Sequence, residues 1–273
     1  MLTKNAKKKL ISFLRDDAAS RDVTSALIPK RRVVAYIEAR EKTVLAGGEE
    51  AAFIFRKNKC RVRQLKKDGA LVKKGKRVMR IEGENRKILA IERTALNVMG
   101  RMGGVATICG KASSIAGGRS EIMLTRKVMP GFNEFDKKAC RFGGVSPHRK
   151  NLADMVLIKE NHLKFSSIEE LVKRAKKKKL GKIEVEVENL SEAIEAAELE
   201  ADIIMLDNFS PAGAKKAVKV IRSLSGAKIE LSGGINLKNL RQYLSSGADM
   251  ISMGELTKKA KMADFSLYTG RRG

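Results

Sequence analysis

The sequence has no tryptophan, only three tyrosines and three cysteines, and few acids for its length of 273 residues. So few aromatic faces leave little of the stacking platform on which single-strand nucleic-acid binders rest their bases. Cys60, Cys109 and Cys140 are odd in number, far apart and in no metal-ligand spacing. That argues for reduced, buried thiols and against a disulfide framework or a zinc site. No apolar run reaches the length of about 18 residues that a membrane span needs. Met1 and Leu2 open onto the polar TKNAKKK, without an apolar stretch ahead of a cleavage site, so the expectation is a cytoplasmic protein with no membrane partner. Acids number 31 against 57 Lys+Arg, a net charge of +26. Such basicity raises the possibility of phosphate binding. The runs Lys7-Lys8-Lys9, Lys30-Arg31-Arg32 and Lys176-Lys177-Lys178-Lys179 are spread over the chain, however, and no nucleic-acid reading module accompanies them. General surface basicity fits better than a specific nucleic-acid partner.

What is present is a core. A hydrophobic content of 43% at this length supports one large or two ordinary domains. The first part, residues 1–115, reads as a small α/β layer. It opens with a helix over about 5–16, continues through β-like runs at 33–39 and 62–65, and ends in a long helical pattern from 88 to about 116. Gly100, Gly103 and Gly104 interrupt that last helix and predict close packing or a kink. Residues 116–273 change to short apolar strands alternating with amphipathic helices. Strands are expected at 121–124, 155–158, 183–187, 203–206, 228–231 and 250–252, with helices near 134–142, 167–179, 191–199, 211–224 and 236–246. Repeated βα units with strands buried on both faces imply a parallel sheet. With six strands against the eight of a closed barrel, either the barrel is incomplete or two strands escape the pattern.

Chemistry gathers at the strand ends, where parallel α/β proteins bind ligands. Thr125, Arg126 and Lys127 follow one apolar strand, Lys159 follows the next, and His148 and Arg149 lie between them among turn-forming glycines and prolines. This is an anion pocket in pattern; the plainer alternative is a solvated basic face. Glu184, Glu186 and Glu188 alternate on one strand and share a face. Acids turned inward require a cation to compensate them. Asp207 ends the following strand, one βα repeat later. The Glu186 and Asp207 pair suits Mg²⁺, which takes one or two carboxylates and keeps its other positions for water and phosphate; salt-bridge partners for nearby lysines are the alternative. Ser232, Gly233 and Gly234, then Gly254, close the last two strands with turns of the kind that cradle a phosphate, and Asn236 is placed to cap the helix after them.

These residues resemble the decarboxylating quinolinate phosphoribosyltransferases. The resemblance runs in order through Arg21-Asp22-Val23-Thr24, Glu92-Arg93-Thr94-Ala95-Leu96-Asn97, Thr125-Arg126-Lys127, Pro130-Gly131 and His148-Arg149. It continues through Leu157-Ile158-Lys159-Glu160-Asn161-His162, EVEVEN at 184–189, LDN at 206–208 and SGGI at 232–235. It implies transfer of phosphoribose from phosphoribosyl pyrophosphate to quinolinate, giving nicotinate mononucleotide, pyrophosphate and CO₂ with Mg²⁺. It also implies an N-terminal α/β sandwich domain and an incomplete βα barrel, with the extreme C-terminus packing back on the N-terminal domain, and a homodimer, or a larger assembly of dimers, whose sites are shared. By position, Arg126, His148, Arg149 and Lys159 would hold the dicarboxylate, with Thr125 beside them and Arg93 reaching in from the partner subunit. Lys127 would turn toward the pyrophosphate donor, Glu186 and Asp207 would face the ribose and its metal, and Ser232, Gly233, Gly234 and Gly254 would hold the 5′-phosphate. Val128 and Met129 replace two threonines usual in the family, Asn133 an arginine and Val145 a glycine. These departures keep open a sister group, associated with molybdate transport, that acts on another base. Two readings of other classes remain: a basic nucleic-acid binder, and a barrel aldolase using Lys159 as a Schiff-base amine.

Overall fold

The computed structural model describes residues 2–17 and 19–270. Helix α1, Lys4–Asp16, begins where Thr3 Oγ1 accepts a hydrogen bond from Ala6 N at 3.0 Å. Then come β1 Arg32–Ala39, β2 Thr43–Val44, α2 Gly48–Lys57, β3 Arg61–Gln64, β4 Leu71–Val72, β5 Arg77–Glu84 and the 32-residue α3 Asn85–Ala116. The second half follows as β6 Glu121–Leu124, α4 Asn133–Phe142, β7 Ser146–Pro147, β8 Val156–Ile158, α5 Glu160–Leu163, α6 Ile168–Lys177, β9 Ile183–Val187 and α7 Leu190–Glu198. It closes with β10 Ile203–Asp207, α8 Pro211–Leu224, β11 Lys228–Ser232, α9 Leu240–Tyr243, β12 Met250–Met253, α10 Glu255–Lys258 and β13 Phe265–Thr269.

The chain forms two compact units. One holds residues 1–110, 129–144 and 259–273; the other holds 111–128 and 145–258. In the first, an antiparallel sheet runs in the order β13-β1-β5-β3, so the C-terminal strand completes the sheet of the N-terminal part. The glycines of α3 serve close packing. A Cβ on Gly104 would lie 1.9 Å from the Lys261 carbonyl oxygen, and Ala263 N donates to Gly100 O at 2.8 Å. Asp136, wholly buried on α4, receives Arg101 of α3 through Nε at 2.9 Å and Nη2 at 2.7 Å, a two-pronged charged pair that fixes one helix on the other.

The second unit is a curled parallel half-barrel of seven strands in the order β7-β6-β12-β11-β10-β9-β8. The strand absent from the sequence expectation is β7, two residues long and ending in Pro147, too short to show a period. The helix expected over 236–246 is only the single turn α9. Asn236 Oδ1 instead accepts from Lys238 N at 3.0 Å, closing a turn ahead of the helix. α8 starts on Pro211, with Ser210 Oγ accepting from Gly213 N.

Register divides every strand into two faces. Val185, Ile204 and Ile229 are aligned, as are Val187, Leu206 and Leu231, and Leu231 is aligned with Ile251. These aliphatic residues are each at most 1% exposed, on the face opposite the polar series. The alternate positions carry the polar groups of β9 and β11, with Ile203, Met205 and Asp207 of β10 between them. Glu186 is aligned with Met205, Met205 with Glu230, and Asp207 with Ser232. Because registered neighbours point the same way, the polar residues of several strands share one inner surface.

Candidate active site

At the ends of these strands the inner surface opens into a cavity of about 120 Å³. Thr125, Arg126, Lys127, His148, Arg149, Lys159, Glu186 and Ser232 line it, joined by Leu157, Met205 and Ser252. A larger cleft of about 520 Å³ in the other unit contains none of the expected residues, so chemistry rather than volume selects the site.

The cations are held by backbone geometry. Thr125 Oγ1 accepts from Lys127 N at 3.3 Å, and Lys127 O accepts from Thr257 Oγ1 of α10 at 2.6 Å. His148 N donates to Leu124 O at 3.0 Å, extending the β6–β7 ladder by one residue and turning the ring inward. Arg149 Nη1 reaches Met155 O at 3.4 Å. Burial, and then the neighbouring Arg126 charge, lower the Arg149 pKa. Two guanidiniums kept this near each other repel unless an anion joins them. Lys159 N donates to His162 Nδ1 at 2.9 Å, which orients the start of α5, and its Nζ is ion-paired with Glu186 Oε2.

The inner surface also answers the question of the inward acids. Glu184 and Glu186 are buried and Glu188 is exposed. The cations expected to compensate them are Lys159 on Glu186 and His148 on Glu184. His148 Nε2 stands 3.2 Å from Glu184 Oε2 and 3.3 Å from Glu230 Oε2. Burial alone would lower the His148 pKa, but hydrogen bonding and charge from the two carboxylates raise it to about 10. Burial and the charge of Glu230 push the Glu184 carboxyl up, against the pull of His148. The Glu186 carboxyl is raised first by burial, with Lys159 opposing and Asp207 adding to the rise.

Asp207 and the glycines sit beside this cavity. Asp207 Oδ2 accepts from Asn208 Nδ2 at 2.6 Å, and Asn208 N donates to Ser232 O at 3.0 Å. Gly233 and Gly234 have φ of +85° and +62°. Asn236 Nδ2 and Asn239 Nδ2 both donate to Gly234 O, at 3.0 and 3.2 Å, fixing the turn. A Cβ on Gly254 would lie 3.4 Å from Lys127 Cδ, so this turn runs along the lysine stem. Arg93 is exposed on α3 and is not among the lining residues. Neither are Val128, Met129, Asn133 or Val145.

Sequence reasoning missed Glu230 and Ser252, and gave Glu184 no role. The signal was available: Glu230 lies between Ile229 and Leu231 on the same alternation as Ser232, and a lone acid at an inner position of a strand needs a partner. Among the described residues, ligand atoms of His148, Glu184 and Glu230 lie within 4.8 Å of one another, but with the imidazole set between two carboxylates the trio is an ion-paired cluster, and the Glu186 and Asp207 pair is left as a place for a hard cation.

Residues 22–103 match the family model described as the N-terminal domain of quinolinate phosphoribosyl transferase, and residues 105–268 match that of its C-terminal domain. The chain is 38% identical over 252 residues to the probable nicotinate-nucleotide pyrophosphorylase (carboxylating) of Archaeoglobus fulgidus, covering 90% of this chain and 97% of the relative. It is 34% identical over 263 residues to the human nicotinate-nucleotide pyrophosphorylase (carboxylating), covering 94% and 89%. Among solved structures, the nicotinate-nucleotide pyrophosphorylase of Francisella tularensis is similar with a TM-score of 0.91 at 33% identity, covering 97% of each chain. NadC from Streptococcus pyogenes is similar with a TM-score of 0.92 at 32% identity, covering 99% of each.

Proposed function

The chain belongs to the quinolinate phosphoribosyltransferase family, and from that premise we propose that it joins quinolinate to phosphoribosyl pyrophosphate. The products are nicotinate mononucleotide, pyrophosphate and CO₂, a step of NAD biosynthesis. The observation that carries this reading is the cavity itself, in which Arg126, Lys127, His148, Arg149 and Lys159 converge with Glu186. A planar dicarboxylate matches such a set, since guanidinium and ammonium groups donate to carboxylates in charge-assisted hydrogen bonds.

In this reading Arg126, Arg149, His148 and Lys159 hold the two carboxylates of the base. Lys127, running along Gly254, turns to the pyrophosphate of the donor. Ser232, Gly233 and Gly234 receive the 5′-phosphate through backbone N–H groups. Glu186 and Asp207 lie where positive charge develops on the ribose as its C1–O bond loosens, an electrostatic role that acts in the transition state. Lys159 Nζ is held in an ion pair with Glu186 Oε2, an arrangement that favours anion binding over nucleophilic attack on a carbonyl.

Mg²⁺ fits these residues. The described hydrogen bonds engage one oxygen each, Oε2 of Glu186 and Oδ2 of Asp207, and leave Oε1 and Oδ1 for a hard cation. When bound with the donor, the ion neutralises charge on the pyrophosphate that departs. The reading extends to a cytoplasmic homodimer in which Arg93 of one subunit completes the site of the other. The deciding experiment is release of labelled CO₂ from quinolinate by the purified protein with Mg²⁺. Release that depends on phosphoribosyl pyrophosphate supports the reading; none at any concentration of either substrate overturns it.

A further inference from the structure

Two fully buried carboxylates on the inner surface have no part in the reading above. Glu184 on β9 and Glu230 on β11 are each 0% exposed, although the strands that carry them are not neighbours. Both turn an oxygen to the same atom, His148 Nε2, at 3.2 and 3.3 Å. Ser252 Oγ donates to the second oxygen of Glu230. Carboxylates without solvent require hydrogen bonds or countercharge, and the imidazole stands within ion-pair distance of both, with Lys159 adding a longer-range charge on Glu184.

A nitrogen between two carboxylate oxygens carries a proton, because a lone pair there would face two acceptors. Nε2–H is therefore fixed, and Nδ1 is the other polar atom of a ring that lines the cavity. In a neutral ring of that tautomer Nδ1 is a lone pair and repels an anion; in an imidazolium it is a donor. The charged groups around the ring are Arg126 and Lys127 after β6, the adjacent Arg149, Lys159 after β8, and Glu184, Glu186 and Glu230.

Resting on the phosphoribosyl-transfer reading, we propose that Glu184 and Glu230 are positioning residues that hold His148 as an imidazolium before substrate arrives, so that its Nδ1–H donates to a carboxylate of the base. Two buried acids thereby convert a ring nitrogen from acceptor to donor at the wall of the cavity. The same two acids, overcoming burial, move the ring to about 10, so the donor form persists at neutral pH.

The test uses the intact, substrate-free protein with ¹⁵N-labelled histidine. Only two histidines contribute, His148 and the exposed His162. The first ring, His162, serves only to be told apart from the second, His148, which is expected to keep both nitrogens protonated through about pH 8. Glu184→Gln and Glu230→Gln should each lower the second midpoint by about one unit or more. Each should raise quinolinate KM about tenfold with a smaller change in kcat, and adding Glu184→Gln to His148→Gln should change KM less than about twofold. A neutral His148 in the wild-type spectrum overturns the inference, even if neither Gln variant folds. So do fully additive KM effects, or stoichiometric Zn²⁺ binding that removes the Nε2 proton. Because the spectrum is read without substrate, a protonated His148 in a protein that does not turn over quinolinate would sink the functional reading and leave the charge state standing.

Discussion

The backbone nitrogen of Asn208 lies where a side chain on Gly233 would begin. An ideal Cβ on Gly233 would stand 2.4 Å from Asn208 N and 2.3 Å from its Oδ1, and the same residue has φ +85°. Two constraints, contact and torsion, therefore coincide there. Gly234 has φ +62° and nothing within 4 Å of a Cβ, so torsion alone acts on it.

Gly233→Ala should accordingly destabilise the fold by about 2–4 kcal/mol and Gly234→Ala by about 1 kcal/mol. Denaturant titration of the two variants checks this. Equal losses would show that the approach to Asn208 is not the constraint.

The base pocket separates residues that line it from those that merely border it in sequence. Arg126→Ala and Arg149→Ala should each weaken quinolinate binding by about 2–4 kcal/mol, since each leaves a carboxylate unpaired. Val128→Thr with Met129→Thr should leave kcat/KM within about tenfold, because neither side chain is in the lining. Steady-state kinetics on quinolinate decide both. Large gains in the threonine double variant would mean the pocket is tuned to another base.

Glu186→Gln and Asp207→Asn act on charge that exists only in the transition state, so kcat should fall by about 100-fold or more while quinolinate KM moves little. Unchanged kcat would return both carboxylates to the role of ion-pair partners.

Sharing of the site between subunits has its own signature. Arg93→Ala and Arg126→Ala, each inactive, should regain up to about a quarter of wild-type activity when mixed and re-associated, because one site of each hybrid then has both cations. No recovery, under conditions in which labelled subunits exchange, would place Arg93 outside the partner's site.

His148, moved from 6.5 to about 10, links stability to pH. Below pH 6.5 the ring is protonated both folded and unfolded and its contribution is fully present; it is lost as pH rises through about 10. The unfolding free-energy difference between wild type and His148→Gln should therefore shrink by on the order of 3 kcal/mol from about pH 6.5 to 10. A difference flat across that window would show that the ring is not protonated in the folded protein.

Local pattern carried far where the chain itself is local. Arg126 and Lys127 closely follow one apolar strand and Lys159 directly follows another, and that adjacency was enough to group them in one cavity. Glu230 was hidden because its partner, His148, is 82 residues away in sequence and on no neighbouring strand. The amphipathic period of α4 identifies a helix but not the core it enters. Phe132 and Phe135 pack on Phe13, with ring centroids 5.8 and 6.1 Å away, a contact across the whole intervening sequence. The role proposed for Arg93 depends on a second chain, and no period within one chain can encode it.

The division of β9, β10 and β11 into an apolar face and a face turned to the cavity has a genetic corollary. A single-residue insertion or deletion within one of these strands would exchange its two faces, sending Val185 or Leu206 into the cavity and Glu186 or Asp207 into the apolar layer. Stability and chemistry would then fail together. Point substitutions at the polar positions, by contrast, leave the aliphatic layer untouched. Such a sheet can drift toward new ligands by replacement but not by length, and variation in length should collect in the connecting loops.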